Sequence, residues 1–229
     1  ARLSAHTIHV DATRTLTTDN ATLTFETLRL DRGSTPATLA LRGDLAVVGA
    51  GGRTATIGTN GGTAATGRID LTGGQRAISV ADGAAAIDLA VSAPLVNGGL
   101  TKSGLGTMQL TAGNSHTGPT TVSAGTLQVS HAAALGGSPV TIETGATLAV
   151  GSGITIRAPA VVVAGGTLSA STLAVNDTTG IRSLSINAGT LVGSPTVAIA
   201  SRPQGLVHSG HPWAIRPTSG SRGRTCSWF

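Results

Sequence analysis

Apolar and polar residues alternate along most of this chain in short runs, and turn residues separate the runs. Leu23/Phe25, Leu28/Leu30, Leu39/Leu41, Leu45/Val47, Ile69/Leu71 and Ile78/Val80 each repeat at two. A period of two marks half-buried strands, and apolar patterning with a helical period is absent. The phase slips between Leu23/Phe25 and Leu28/Leu30, which predicts a bulge or corner near Glu26-Thr27. Residues 81–90 are rich in alanine, the best helix former. Asp82-Gly83 is nevertheless a turn signal, and Ile87, Leu89 and Val91 repeat at two, so this run is read as strand.

A longer period lies on top of the short one. Met108, Leu127, Leu148, Leu168 and Leu191 each follow a Gly-Thr or Gly-Ala-Thr step and recur at nearly even intervals. Further strand candidates fall between them at 120–122, 140–142, 154–156 and 161–163. A repeat of about 20 residues with a glycine corner per unit predicts an all-β parallel β-solenoid, with two or three short strands per coil. One such coil cannot stand alone. Ordering its backbone costs roughly 20–40 kcal/mol, and three or four buried aliphatics return only about 1.5–3 kcal/mol each. Stacking shares each apolar face between neighbours and pairs every strand edge. The predicted organisation is an irregular strand-rich part at 1–66, regular coils at 67–200 and a tail at 201–229. The tail holds both tryptophans, the sole cysteine Cys226, three prolines and four arginines, and loses the alternation. It is read as a disordered or frame-shifted segment that does not fold.

Composition fits this picture and removes several function classes. The chain has 33 glycines among 229 residues, 2% aromatics, no tyrosine and 11% charged residues. Its core must therefore be aliphatic, thin and repeated, which favours an elongated β-object over a compact α/β enzyme. The formal charge of +5 is concentrated in the tail, and residues 1–200 carry a net charge of +1. No basic face for nucleic acid is expected. A single cysteine excludes an internal disulfide or a cysteine-based metal cluster. No apolar run approaches the ~18 residues of a membrane helix. No signal peptide is evident at Ala1, so the chain reads as an internal fragment of a longer export precursor.

Residues 98–129 carry a denser set of landmarks. They are Gly99-Leu100, Lys102, Gly104 and Gly106 before Thr107, then Met108/Leu110, Asn114, Gly118, and Gly125-Thr126-Leu127. This spacing resembles the autotransporter-associated β-strand repeat, the passenger-associated transport repeat of bacterial type V secretion. Met108 stands where leucine is usual, and His116 where an aromatic is usual. The resemblance implies a right-handed β-helix, exported through a C-terminal outer-membrane translocator barrel and then surface-displayed or secreted. It also implies that the repeat supports export and folding. The chain itself shows no barrel strands with aromatic girdles.

Chemistry is sparse. There is no Gly-x-Ser-x-Gly elbow, no phosphate-binding loop and no calcium nonapeptide, so no catalytic residue, cofactor or metal is expected. His6, His9, His116 and His131 read as surface histidines, and Lys102 as a surface charge. His6 and His9, three apart on a strand, point to opposite faces and do not share a metal. Asp70, Asp82 and Asp88, with Arg68 and Arg76, are the candidate set for a β-helical polysaccharide-active enzyme. Arg42-Gly43-Asp44 resembles an integrin-binding cell-attachment tripeptide and names a host-cell receptor or matrix as a speculative partner. The leading expectation is thus a non-enzymatic passenger stalk or adhesin. The alternatives are a polysaccharide-active enzyme and a truncated gene product without activity.

Overall fold

A computed structural model describes residues 2–5, 7–11, 14–31, 35–59, 67–175 and 183–193, together with three short strands beyond them. Short strands at matching phases of successive coils line up side by side into parallel sheets. Sheet A has ten strands, from Arg2–Ser4 to Leu206–Ser209, and sheet B has nine, from Thr7–Val10 to Thr190–Val192. Sheet C has four: Thr15–Thr18, Thr38–Leu41, Arg68–Asp70 and Leu95–Val96. The chain is an all-β parallel solenoid with about 23 residues per turn. At ~4.8 Å per coil, the ten strands of sheet A span about 43 Å from first to last.

The alternation predicts the register. Met108, Leu127, Leu148, Leu168 and Leu191 pair directly, one above the next, on sheet B. Thr107, Thr126, Thr147, Thr167 and Thr190 stack beside them, β-branched residues suited to a pleated surface. Coils are short around the dense landmarks, where Lys102 pairs with Val122 and Val122 with Ile142. Elsewhere coils lengthen through their corners, as between Val47 and its partner Val80. The expected corner near Glu26 is real, with one strand ending at Phe25 and the next starting at Thr27.

Sheets A, B and C continue across position 66, through Leu45↔Ile78, Ala55↔Leu89 and Thr38↔Arg68, and a fourth sheet of Thr172–Val175, Thr196–Ile199 and Arg224–Cys226 forms later, its last strand antiparallel. The early coils are three-sided. Sheet C then ends at Leu95–Val96, followed by a single bridge from Val96 to Ser115. One aliphatic core runs inside the sheets from Val10 to Ile186, with Phe25 its buried aromatic.

Two strand readings fail locally. Residues 81–88 form a long corner and only Leu89–Val91 is strand, because the corner is anchored by Asp88. Residues 154–156 are not strand either, although Ile156 is buried. The reading of 201–229 as an unfolding tail falls outside the described residues, apart from strands Leu206–Ser209 and Arg224–Cys226. The reading of His6 falls outside them too.

Candidate functional site at the corner of the repeat

The inner face of sheet A carries a ladder of Leu45, Ile78, Lys102, Val122, Ile142, Val163 and Ile186. Lys102 is its one charged rung. It is completely buried, which corrects its reading as a surface charge. The alternation demands this: Leu100 faces the core, so the residue two positions on must do the same. The four-carbon stem substitutes for an aliphatic side chain and carries the ammonium to the corner between sheets A and B.

There the Nζ donates to three backbone carbonyls, Ser103 O at 2.9 Å, Gly104 O at 2.8 Å and Ala124 O at 3.0 Å. Three acceptors match the three N–H bonds of an ammonium, so all of its hydrogen-bonding capacity is used. Ala124 belongs to the next coil, and the side chain therefore ties two successive corners together. Burial pulls the Lys102 pKa down to about 8, while the Asp88 carboxylate acts to raise it. At neutral pH the group is still mostly protonated.

Asp88 secures the same corner from the preceding coil. Its Oδ1 accepts the Gly83 N–H and its Oδ2 the Thr107 N–H, both at 2.8 Å. The glycines of the landmark sequence let these corners approach. Gly125 has φ of +61°, and a Cβ there would lie 2.5, 2.6 and 2.7 Å from the carbonyl oxygens of Gly104, Leu105 and Gly106. Contacts that short are forbidden, so the corner stack requires glycine. Gly104 and Gly106 are similarly closed in by the Val80 and Ala81 carbonyls, and Gly118 by the backbone of Gly98 and Gly99.

A second polar group fills the side that sheet C vacates. Asn114 is buried, accepts the Leu95 N–H on Oδ1 at 2.9 Å and donates from Nδ2 to Ala134 O. It thus joins three coils where strand pairing has stopped. His116 is also completely buried, correcting its reading as a surface residue. Its Nε2 lies 2.9 Å from Thr120 Oγ1, which lies 3.1 Å from Ser138 Oγ, which donates to Leu135 O at 2.8 Å. A hydrogen-bond chain in that direction assigns the proton of His116 to Nε2. Nδ1 has no partner. A proton added there would be buried and unpaired, in keeping with a pKa lowered by burial to about 4.

The remaining landmarks fall where the alternation puts them. Gly99 and Leu100 start the sheet A strand Gly99–Ser103, and Met108 and Leu110 are the buried positions of Thr107–Leu110. Thr126 and Leu127 open Thr126–Val129. The Arg42-Gly43-Asp44 tripeptide occupies a different corner, between sheets C and A, with Arg42 and Asp44 exposed. Asp44 is engaged there: its N–H donates to Asn20 Oδ1 and its Oδ1 accepts the Ala77 N–H.

Of the carboxylates considered for sugar chemistry, Asp82 shares the 81–88 corner with Asp88, whose two oxygens are taken by the Gly83 and Thr107 amides, and Asp70 lies apart from both. Asp70 sits at the corner before strand Gln75–Val80, where its Oδ1 binds Thr72 N–H and Asn97 Nδ2. Asp88 sits at the corner after that strand, whose six residues extend about 20 Å. A paired acid and base stand roughly 5–10 Å apart. An open cleft of about 850 Å³ lies over Asp70, Gln75, Asn97 and Pro119, without an aromatic platform.

Sequence reasoning missed Asp88, Thr120 and Ser138 as anchors of these corners. Thr120 was accessible from phase alone, because it shares a face with Val122. Ser138 was not, since only coil stacking brings it to His116. The chain matches no curated protein and no solved structure. Residues 100–129, which hold Lys102, Asn114, His116 and Gly125, match the family model of the passenger-associated-transport-repeat.

Proposed function

We propose that this chain is a segment of a bacterial autotransporter passenger, a β-solenoid stalk displayed at the cell surface or released from it. Within it, residues 100–129 act as a coil-stacking lock that favours folding as the chain emerges. The observation that carries this reading is the Lys102 ammonium, which ties successive corners inside the segment that matches the transport repeat. A solenoid folds by adding coils to a formed neighbour, so a coil with strong internal ties is a suitable seed. The partner in the longer precursor is an outer-membrane translocator barrel.

The test is surface display. The chain is fused to a translocator barrel, and protease-accessible passenger on whole cells is compared between the parent and Lys102→Met. A several-fold loss is expected at equal expression. Equal display of both proteins would remove the export role while leaving the fold untouched.

An adhesive role is a second reading, favoured by the exposure of Arg42 and Asp44 on one corner. Arg42→Ala leaves the Asp44 hydrogen bonds in place and is the cleaner probe of cell attachment. Unchanged binding of host cells by that variant would end the adhesive reading.

A further inference from the structure

We infer that His9, Asp11 and Asp31 form a site for a divalent transition metal of the zinc class, clamping the first two coils together. The three residues are brought together by register rather than by spacing in the sequence. Strands Thr7–Val10 and Thr27–Leu30 pair with Val10 opposite Leu30, and the Asp31 N–H continues the ladder to Val10 O at 2.9 Å. Asp11 and Asp31 therefore leave the sheet at the same corner of adjacent coils.

One donor atom from each of His9, Asp11 and Asp31 lies within 4.8 Å of the other two. The closest approach is His9 Nε2 to Asp31 Oδ2, at 2.9 Å. Two carboxylates stacked one coil apart repel each other, and a dication between them reverses the sign of that interaction.

The donor set selects the ion. One imidazole nitrogen and two carboxylate oxygens suit zinc, which takes such ligands at about 2.0–2.2 Å and accepts water as a fourth. Calcium calls for six to eight oxygens, more than these three side chains supply. His9 and Asp11 are exposed and Asp31 half-buried, so water can reach the fourth position and the side chains can close the last ångström. Arg29 is the register partner of His9 and brings a positive charge to the same face. It disfavours cations held by charge alone, leaving the advantage to an ion that also bonds imidazole.

Binding is tested on the untagged full chain carrying His208→Ala, His211→Ala and Cys226→Ser, so that the histidines and cysteine of 201–229 cannot contribute to the signal. Titration calorimetry with zinc chloride near neutral pH should show one site per chain and a raised Tm. His9→Ala, Asp11→Asn and Asp31→Asn should each weaken binding by about tenfold or more. Calcium at equal concentration should leave Tm unmoved. Lack of saturable binding up to about 1 mM zinc overturns the assignment. So does an unchanged Kd in the three variants, or an equal response to calcium.

Discussion

Replacing Lys102 with methionine keeps the length and apolar stem of the side chain and deletes its charge. The loss is three charge-assisted hydrogen bonds, to Ser103, Gly104 and Ala124. Such bonds contribute about 1.5–3 kcal/mol each, or about 4.5–9 kcal/mol together. Against this stands the relief of a buried charge. The pKa falls from 10.5 to about 8, a shift worth about 3 kcal/mol. The net expectation is a destabilisation of about 1.5–6 kcal/mol, confined mainly to the coils on either side of Lys102 because solenoid repeats couple to their neighbours. Urea unfolding followed by circular dichroism reads the shift in midpoint, and hydrogen exchange at the 103–106 and 123–126 corners locates it. The pH dependence has a definite sign. Between pH 8 and 10.5 the unfolded chain holds more protons than the folded one, so stability rises with pH through that window. The chain has a single lysine and no tyrosine, so in a Cys226→Ser background the rise should vanish on adding Lys102→Met, with the N-terminal amine common to both proteins. Buried ion pairs are often replaced by hydrophobic residues without loss. A methionine variant as stable as the parent would place Lys102 in that class and refute the lock.

Four other substitutions separate the parts of the corner. Acid should weaken the fold through His116: its folded pKa of about 4 lies below 6.5, so stability is lost as pH falls from 6.5 toward 4, by at most about 3 kcal/mol. His116→Phe should flatten that part of the pH–stability profile, and a profile identical to the parent's would disprove the assignment. Gly125→Ala should cost about 3 kcal/mol or more, since the new Cβ meets three carbonyl oxygens as well as the left-handed penalty. Gly145→Ala, at φ of +78° with open space around it, should cost only about 1–2 kcal/mol; equal costs in urea melts would deny the close approach of the corners. Asp88→Asn should expose the corner amides of Gly83 or Thr107 to faster hydrogen exchange, because one carboxylate acceptor becomes a donor. Unaltered exchange at both amides would show that Asp88 does not anchor them.

The β-solenoid was legible because the two periods of the sequence describe two geometric facts, the pleat of a strand and the circumference of a coil. Met108 to Leu191 pair as their spacing predicts. The stretch up to position 66 obscured the same fold because coil length there varies at the corners while the strands stay in register. Lys102 shows where composition misled. Charge argued for the surface, and phase argued for the interior. Phase prevailed because the corner supplies three carbonyls for the ammonium. His116 followed the same course, with Thr120 and Ser138 in place of carbonyls. What the sequence hides is contact across coils. Asn114 with Leu95 and Ala134, or His9 with Asp31, lie a full coil apart along the chain and meet only through stacking.

The sole lysine makes the buried ammonium directly measurable. An amine-reactive ester applied to the native chain, followed by peptide mass spectrometry, should label the N-terminal amine and leave Lys102 unmodified until urea unfolds the coils. Labelling of Lys102 in the native protein at the rate of an exposed lysine would contradict the caged ammonium at the corner of the repeat.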